Sequence, residues 1–307
     1  MNKVIFNERR EVFMENVATI LNTILTDKDK LALENNTETI EKPPDYIDDE
    51  SKLLICGNCH TPREKIVDFL GSKKKAPINC KCMAEKEREE KETRDKYRKE
   101  MWIRELRRAC FDESIYANAN FETMDKASEH EDIARNYVKH FDQVLKNNMG
   151  LIFTGEVGCG KTYLAAVIAN KLIDQGISVK MTNFTRILND MTNFDIDKAK
   201  YIDDLNEKKL LIIDDFGMER TTDFAYEHIF NIIDARYRVG KPLIITTNLN
   251  ISQLTNPKGI REKRIYSRIL EIASPIIFTG KNRRIEKMKE KSRQTYQLLK
   301  EGGNYAK

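Results

Sequence analysis

Three groups of residues have the types and spacings that could do chemistry. The first is Gly155-Glu156-Val157-Gly158-Cys159-Gly160-Lys161-Thr162, which satisfies G-x-x-x-x-G-K-[ST] at every fixed position. It lies between an apolar run (151–154) and a helical pattern, the context in which such a loop cradles phosphate. Glycines let the backbone N–H groups turn inward onto phosphate oxygens, and the helix start adds the positive end of its dipole. Lys161 is expected to reach the β- and γ-phosphates of ATP, and the Thr162 hydroxyl to ligate Mg2+. Cys159 occupies a variable position and reads as a small filler, not a nucleophile.

The second group completes a phosphoryl-transfer site. Leu211-Ile212-Ile213-Asp214-Asp215 is an apolar strand ending in paired carboxylates. Asp214 is expected to hold a metal-bound water, and Asp215 to orient or deprotonate the attacking water. Asp215 is one methylene shorter than Glu, which predicts slow hydrolysis. Ile244-Ile245-Thr246-Thr247-Asn248 ends in an amide that can hold the hydrolytic water between the γ-phosphate and Asp215; a simple strand-end turn is the alternative. Arg261, Arg264 and Arg268 lie along one helical stripe, and Arg283-Arg284 follow the next strand. Cations are needed at the γ-phosphate, in cis or in trans. Arg268 suits the trans role at a neighbouring subunit's ATP and Arg284 the cis role. Arg264 and Arg283 are the nearest rivals, and a basic helix face or a DNA contact is the alternative.

The third group is Cys56-Gly57-Asn58-Cys59 and, 20 residues on, Cys80-Lys81-Cys82. Two closely spaced pairs can supply four thiolates to one tetrahedral Zn2+. Because C-x-C is a less usual half-site, His60 stands as a rival ligand. With four protein ligands no coordination position is left open, so the site reads as structural. So few apolar residues surround it that the metal is expected to supply folding free energy. Cys110 stands alone and reads as part of a connector.

The elements that must position these groups follow from the rest of the 307 residues, of which 40% are hydrophobic and 33% charged. No apolar run approaches the roughly 20 residues of a membrane span. Charges begin at Lys3, before any signal-type apolar stretch, so a cytoplasmic protein without a membrane partner is expected. Phe13, Val17, Ile20, Leu21, Ile24 and Leu25 recur at helical spacing. Residues 34–52 read as an acidic linker. Between Glu85 and Glu100, 14 of 16 residues are charged with both signs mixed, which predicts a solvated helix reaching Cys110. Short apolar strands at 151–154, 178–182, 210–213, 242–247 and 275–279 then alternate with helices. That pattern is an α/β fold with a parallel sheet covered on both faces. The expected organisation is a helical and zinc-binding domain at 1–84, a charged connector at 85–111 and a nucleotide-binding domain at 112–307. The net charge of +4 conceals a local +9 from residue 256 onward, where 14 Lys/Arg face five Glu, leaving −5 elsewhere. A polyanion partner is implied.

Phosphate loop, Asp-Asp strand end, Thr-Thr-Asn and the R-x-x-x-R helix, in this order, resemble the AAA+ ATPases. Within them LLIIDDFG (210–217), KPLIITTNL (241–249), RIYSR (264–268) and ANFETMD (119–125) look like the bacterial and phage DnaC/DnaI-type helicase loaders. The resemblance covers residues 112–290. It implies side-by-side assembly with ATP at subunit junctions, Arg268 as the arginine finger and Arg284 as the second sensor. It also implies an N-terminal domain that holds a hexameric replicative helicase, and an ATPase domain that contacts single-stranded DNA. About 23 residues follow Arg284, so no AAA+ lid domain is expected. IstB-type transposition helpers, which act on duplex DNA, share the core and remain the alternative. A zinc-containing adaptor using ATP only structurally is a third reading.

Overall fold

The computed structural model describes residues 43–112, 114–123, 130–217 and 222–301. The helical pattern expected at 13–25 lies outside the described residues. The chain forms two compact units that divide between Thr93 and Arg94.

In the first unit β1 (Tyr46–Ile47) pairs antiparallel with β2 (Leu54–Ile55), and β3 (Glu64–Phe69) pairs antiparallel with β4 (Ser72–Pro77). Leu70 and Gly71 join the latter pair with φ of 55° and 79°. Two successive positive φ angles match the twist of a two-residue hairpin turn. Helix α1 (Lys81–Cys110) begins at the second cysteine pair. Its charged stretch has exposed (i, i+4) pairs such as Lys86–Glu90 at 3.9 Å and Arg88–Glu92 at 3.8 Å, each worth only a few tenths of a kcal/mol. Only its last turns carry apolar weight.

In the second unit α2 (Glu131–Lys139) and α3 (Phe141–Lys146) precede β5 (Gly150–Gly155). Then come α4 (Lys161–Asp174), β6 (Val179–Asn183), α5 (Phe184–Met191), α6 (Lys198–Glu207), β7 (Leu210–Phe216) and α7 (Asp223–Val239). The unit ends with β8 (Leu243–Thr247), α8 (Ile251–Thr255), α9 (Ile260–Ile272), β9 (Ala273–Phe278) and α10 (Arg283–Glu301). The strands form one parallel sheet in the order β6-β7-β8-β5-β9. The inner strands β5, β7 and β8 are apolar over most of their length because both their faces are buried. Phe153, Leu210, Ile212 and Ile244 pack on one side, mainly against α2, α3 and α4. Ile152, Leu211, Ile213, Leu243 and Ile245 pack on the other, against α5, α7 and α9. Cys110, expected in a connector, is wholly buried in the first of these cores, and burial pushes its thiol up to about 12.

Arg236 on α7 is also fully buried. Its guanidinium donates to the carbonyls of Asn206 (3.3 Å), Lys208 (2.9 Å), Lys209 (3.2 Å) and Pro242 (2.7 Å), tying the end of α6 and the residues leading into β7 to the start of β8. Burial lowers its pKa to about 10. Nothing in the sequence pattern marked it.

Candidate functional site

The phosphate loop leaves β5 at Gly155 and enters α4 at Lys161. Gly155 has φ 144°, and a Cβ there would lie 2.1 Å from the Phe278 carbonyl oxygen. Gly160 caps α4 with φ 99°. Only glycine adopts both geometries without strain. Lys161 is buried, and its ammonium donates to Gly155 O (2.8 Å), Glu156 O (2.7 Å) and Asn248 Oδ1 (2.9 Å). Three donors thus meet three oxygens, and the last bond brings together the loop and the β8 end. The Cys159 thiol is buried and lies 2.8 Å from Glu156 O. That is a local loop contact, in keeping with a filler.

The two carboxylates stand at an irregularity in the sheet. The β7–β8 register shifts between Ile213 and Phe216, and Asp215 takes φ 52°. Such a bulge re-aims side chains at a strand end. Asp215 faces a cavity of about 840 Å³, lined also by Val157, Gly158, Gly160, Lys161, Thr162 and Asn248. Asp214 is half-buried and does not line that cavity. It accepts from Thr246 Oγ1 at 2.5 Å and from the Thr162 hydroxyl. Burial pushes its carboxyl above the ordinary range, the two hydroxyls pull it back, and the Asp215 charge adds to the rise. A half-buried carboxylate beside a threonine hydroxyl is a donor set suited to Mg2+.

Thr246 escaped the sequence reading. It donates to the Asp214 carboxylate and accepts the Asp215 N–H at 3.0 Å, so it holds one side chain and the backbone of the next residue at once. The signal was its place two residues before Asn248 at the end of β8. Its meaning depends on β8 lying beside β7, which spacing alone does not give.

Arg284 and Arg283 line the cavity with Lys287, all from the start of α10. Arg283 N–H donates to Gly158 O at 3.0 Å, and the Asn282 side chain packs where a Cβ of Gly158 would stand. The α10 start is therefore tied to the phosphate loop. Arg268 is not among the residues lining the cavity. It donates to Asp234 Oδ1 (2.7 Å) and Arg264 O (2.9 Å), and its guanidinium lies 4.6 Å from the Phe230 ring centre. Arg264 covers the same ring at 4.5 Å. In the segment after β6, Phe184 is buried in the core, Arg186 pairs with Asp112 and Tyr201 donates to Asp190. Phe194 is fully exposed.

In the first unit the four cysteines converge. Their sulfurs all lie within 4.8 Å of one another, with Cys56–Cys82 at 3.7 Å and Cys80–Cys82 at 3.4 Å. Zinc–sulfur bonds of about 2.3 Å at tetrahedral angles need sulfurs about 3.8 Å apart, so the set fits zinc. Gly57 lets the first pair turn tightly: a Cβ there would lie 2.2 Å from Pro43 O. The Thr61 hydroxyl accepts the Lys81 N–H at 2.9 Å and so can donate to Cys59 Sγ at 3.0 Å. That bond leads in lowering Cys59 to about 5. The neighbouring Cys80 thiol holds Cys82 up at about 12. His60 stays outside the cluster, with Nδ1 at 3.3 Å from the Tyr46 hydroxyl.

Several known proteins are similar to this chain. The replicative helicase loader DnaC of Escherichia coli (strain K12) is 33% identical over 132 residues, 42% of this chain and 53% of that protein. The replicative helicase loader DnaI of Bacillus subtilis (strain 168) is 24% identical over 160 residues, 48% of this chain and 51% of that protein. A putative ATP-binding protein, Rv3427c, in an insertion sequence of Mycobacterium tuberculosis is 26% identical over 141 residues, 45% of this chain and 56% of that protein. The chain spans about half the length of these relatives. The sequence model of the IstB-like ATP binding proteins matches residues 83–270, more than half of the chain, and the chain belongs to that family.

Proposed function

We propose that this protein is an ATPase that loads a hexameric replicative helicase onto single-stranded DNA at the start of replication. The observation that carries the catalytic part is the gathering of Lys161, Thr162, Asp215 and Asn248 at one cavity, with Asp214 behind them. The likeness to proteins named replicative helicase loaders supports the biological part.

In this reading the loop N–H groups and Lys161 bind the phosphates. Asp215 takes the proton of the attacking water, and Asn248 holds that water against the γ-phosphate. Thr246 keeps the Asp214 carboxylate and the Asp215 backbone in place. Thr162 and Asp214 would hold Mg2+, which offsets phosphate charge. Arg283 and Arg284 supply cations in cis, and Arg268 acts on a neighbouring subunit's ATP, so that ATP sites mediate self-association. Cys56, Cys59, Cys80 and Cys82 would hold a structural Zn2+ that stabilises the helicase-binding unit.

Co-expression with candidate replicative helicases, followed by size exclusion with light scattering with and without ATP and Mg2+, tests the proposal. A complex that loses the helicase when Cys56 and Cys59 are replaced supports it. The likeness to Rv3427c favours a second reading, a transposition helper. ATP-dependent assembly on duplex DNA, with no helicase complex, would establish that reading instead.

A further inference from the structure

The β3–β4 hairpin has two faces of different character. Cross-strand partners share a face, and the register pairs Ile66 with Lys75 and Asp68 with Lys73 on one side. That side is internally neutralised: Lys75 is 3.4 Å from Glu64, and Asp68 accepts the Gly71 N–H. The other side pairs Lys65 with Ala76, Val67 with Lys74 and Phe69 with Ser72. It carries two lysines and no carboxylate. Among the described residues neither Lys65 nor Lys74 is in an ion pair. Phe69 is 58% exposed, Leu70 at the turn is 92% exposed, and the Lys74 ammonium lies 5.3 Å from the Phe69 ring centre.

We propose that this face of the hairpin binds single-stranded nucleic acid, with Phe69 stacking on a base and Lys65 and Lys74 holding the flanking phosphates. A ring beside unpaired ammonium groups matches the alternation of flat base and anionic phosphate along a strand. Duplex DNA is a poor occupant, because its base faces are already stacked and only a splayed base can cover Phe69. A protein is also a poor occupant, since the buried centres of protein interfaces are depleted in lysine. The inference does not rest on the helicase-loader reading.

The test uses the full zinc-loaded chain without nucleotide. Ultraviolet cross-linking to oligo(dT), mapped by mass spectrometry, is expected to label the peptide holding Phe69; this needs no variant. In anisotropy titrations Phe69→Ala is expected to weaken oligo(dT) binding about ten-fold. Lys65→Gln with Lys74→Gln is expected to lower the slope of log affinity against log salt by roughly 1.4, about 0.7 per lost charge. Zinc content and circular dichroism check that the variants fold. Any of three outcomes overturns the proposal: no oligo(dT) binding by the unaltered chain, cross-links only elsewhere, or unchanged affinity and slope in folded variants. Loss of helicase co-elution with unchanged oligo(dT) affinity also overturns it and makes the face a protein contact.

Discussion

At the residue scale the site separates two carboxylates by environment. Asp215 is exposed and faces the cavity, whereas Asp214 is half-buried and outside its lining. If Asp215 is the base, Asp215→Asn lowers ATP hydrolysis by about 10²- to 10⁴-fold and leaves ATP affinity unchanged. Phosphate release and a nucleotide-binding titration on the same sample check both halves. Asp214 makes the opposite prediction for stability. Its pKa is raised in the folded state, so folding disfavours its ionised form. The penalty is present above the shifted pKa and is relieved as pH falls through it. Asp214→Asn is therefore expected to raise Tm near neutral pH without Mg2+ and nucleotide, with the gain shrinking as the medium is acidified. The same variant should lose Mg2+-dependent ATP affinity. A drop in Tm would mean that the Thr246 and Thr162 hydrogen bonds outweigh burial.

At the element scale two fixings hold the units together internally. Arg236 satisfies four buried carbonyls at the edge of the sheet remote from the phosphate loop. Arg236→Ala removes every one of those bonds and is expected to cost at least about 3 kcal/mol in urea unfolding, far more than a surface arginine. The cysteine cluster fixes the first unit, where β1, β2 and the hairpin supply little core. A chelator is expected to remove about one zinc per chain and to unfold residues 43–80 while ATP binding persists. Metal analysis with hydrogen exchange reads both. Much of this scale was legible in sequence. Apolar strands gave a parallel sheet, and the helical pattern after the phosphate loop forms α4 (Lys161–Asp174). The strand from 210 ran further than its apolar residues, to Phe216, because Asp214 still pairs with Asn183 before the bulge. The hairpin over 64–77 went unread because lysines replace the alternating apolar signal. Arg236 and Thr246 went unread for a different reason. Each acts across elements whose adjacency is a property of strand order, and strand order leaves no local mark.

At the scale of the whole molecule the open issue is where Arg268 acts. Within its own chain it is held by Asp234 and by the Phe230 ring, with its side chain 28% exposed. A cation anchored away from its own nucleotide cavity but partly open to solvent is placed to serve another copy. A head-to-tail interface would set one copy's α9 against the next copy's ATP. Mixing variants separates this from a structural role. Lys161→Ala destroys the nucleotide site and keeps the arginine, while Arg268→Ala keeps the site and removes the arginine. Each alone is expected to be inactive. In an equal mixture, random pairing places an intact site beside an intact arginine at about a quarter of junctions, so about a quarter of the original ATPase rate should return if the arginine acts in trans. No recovery, with each variant still folded, would place Arg268 among the contacts that build α7 and α9. Asp234→Asn sharpens the distinction. It removes the charge facing Arg268 and keeps the arginine, so a trans cation would retain activity, whereas a purely structural ion pair would lose stability in both the variant and the mixture.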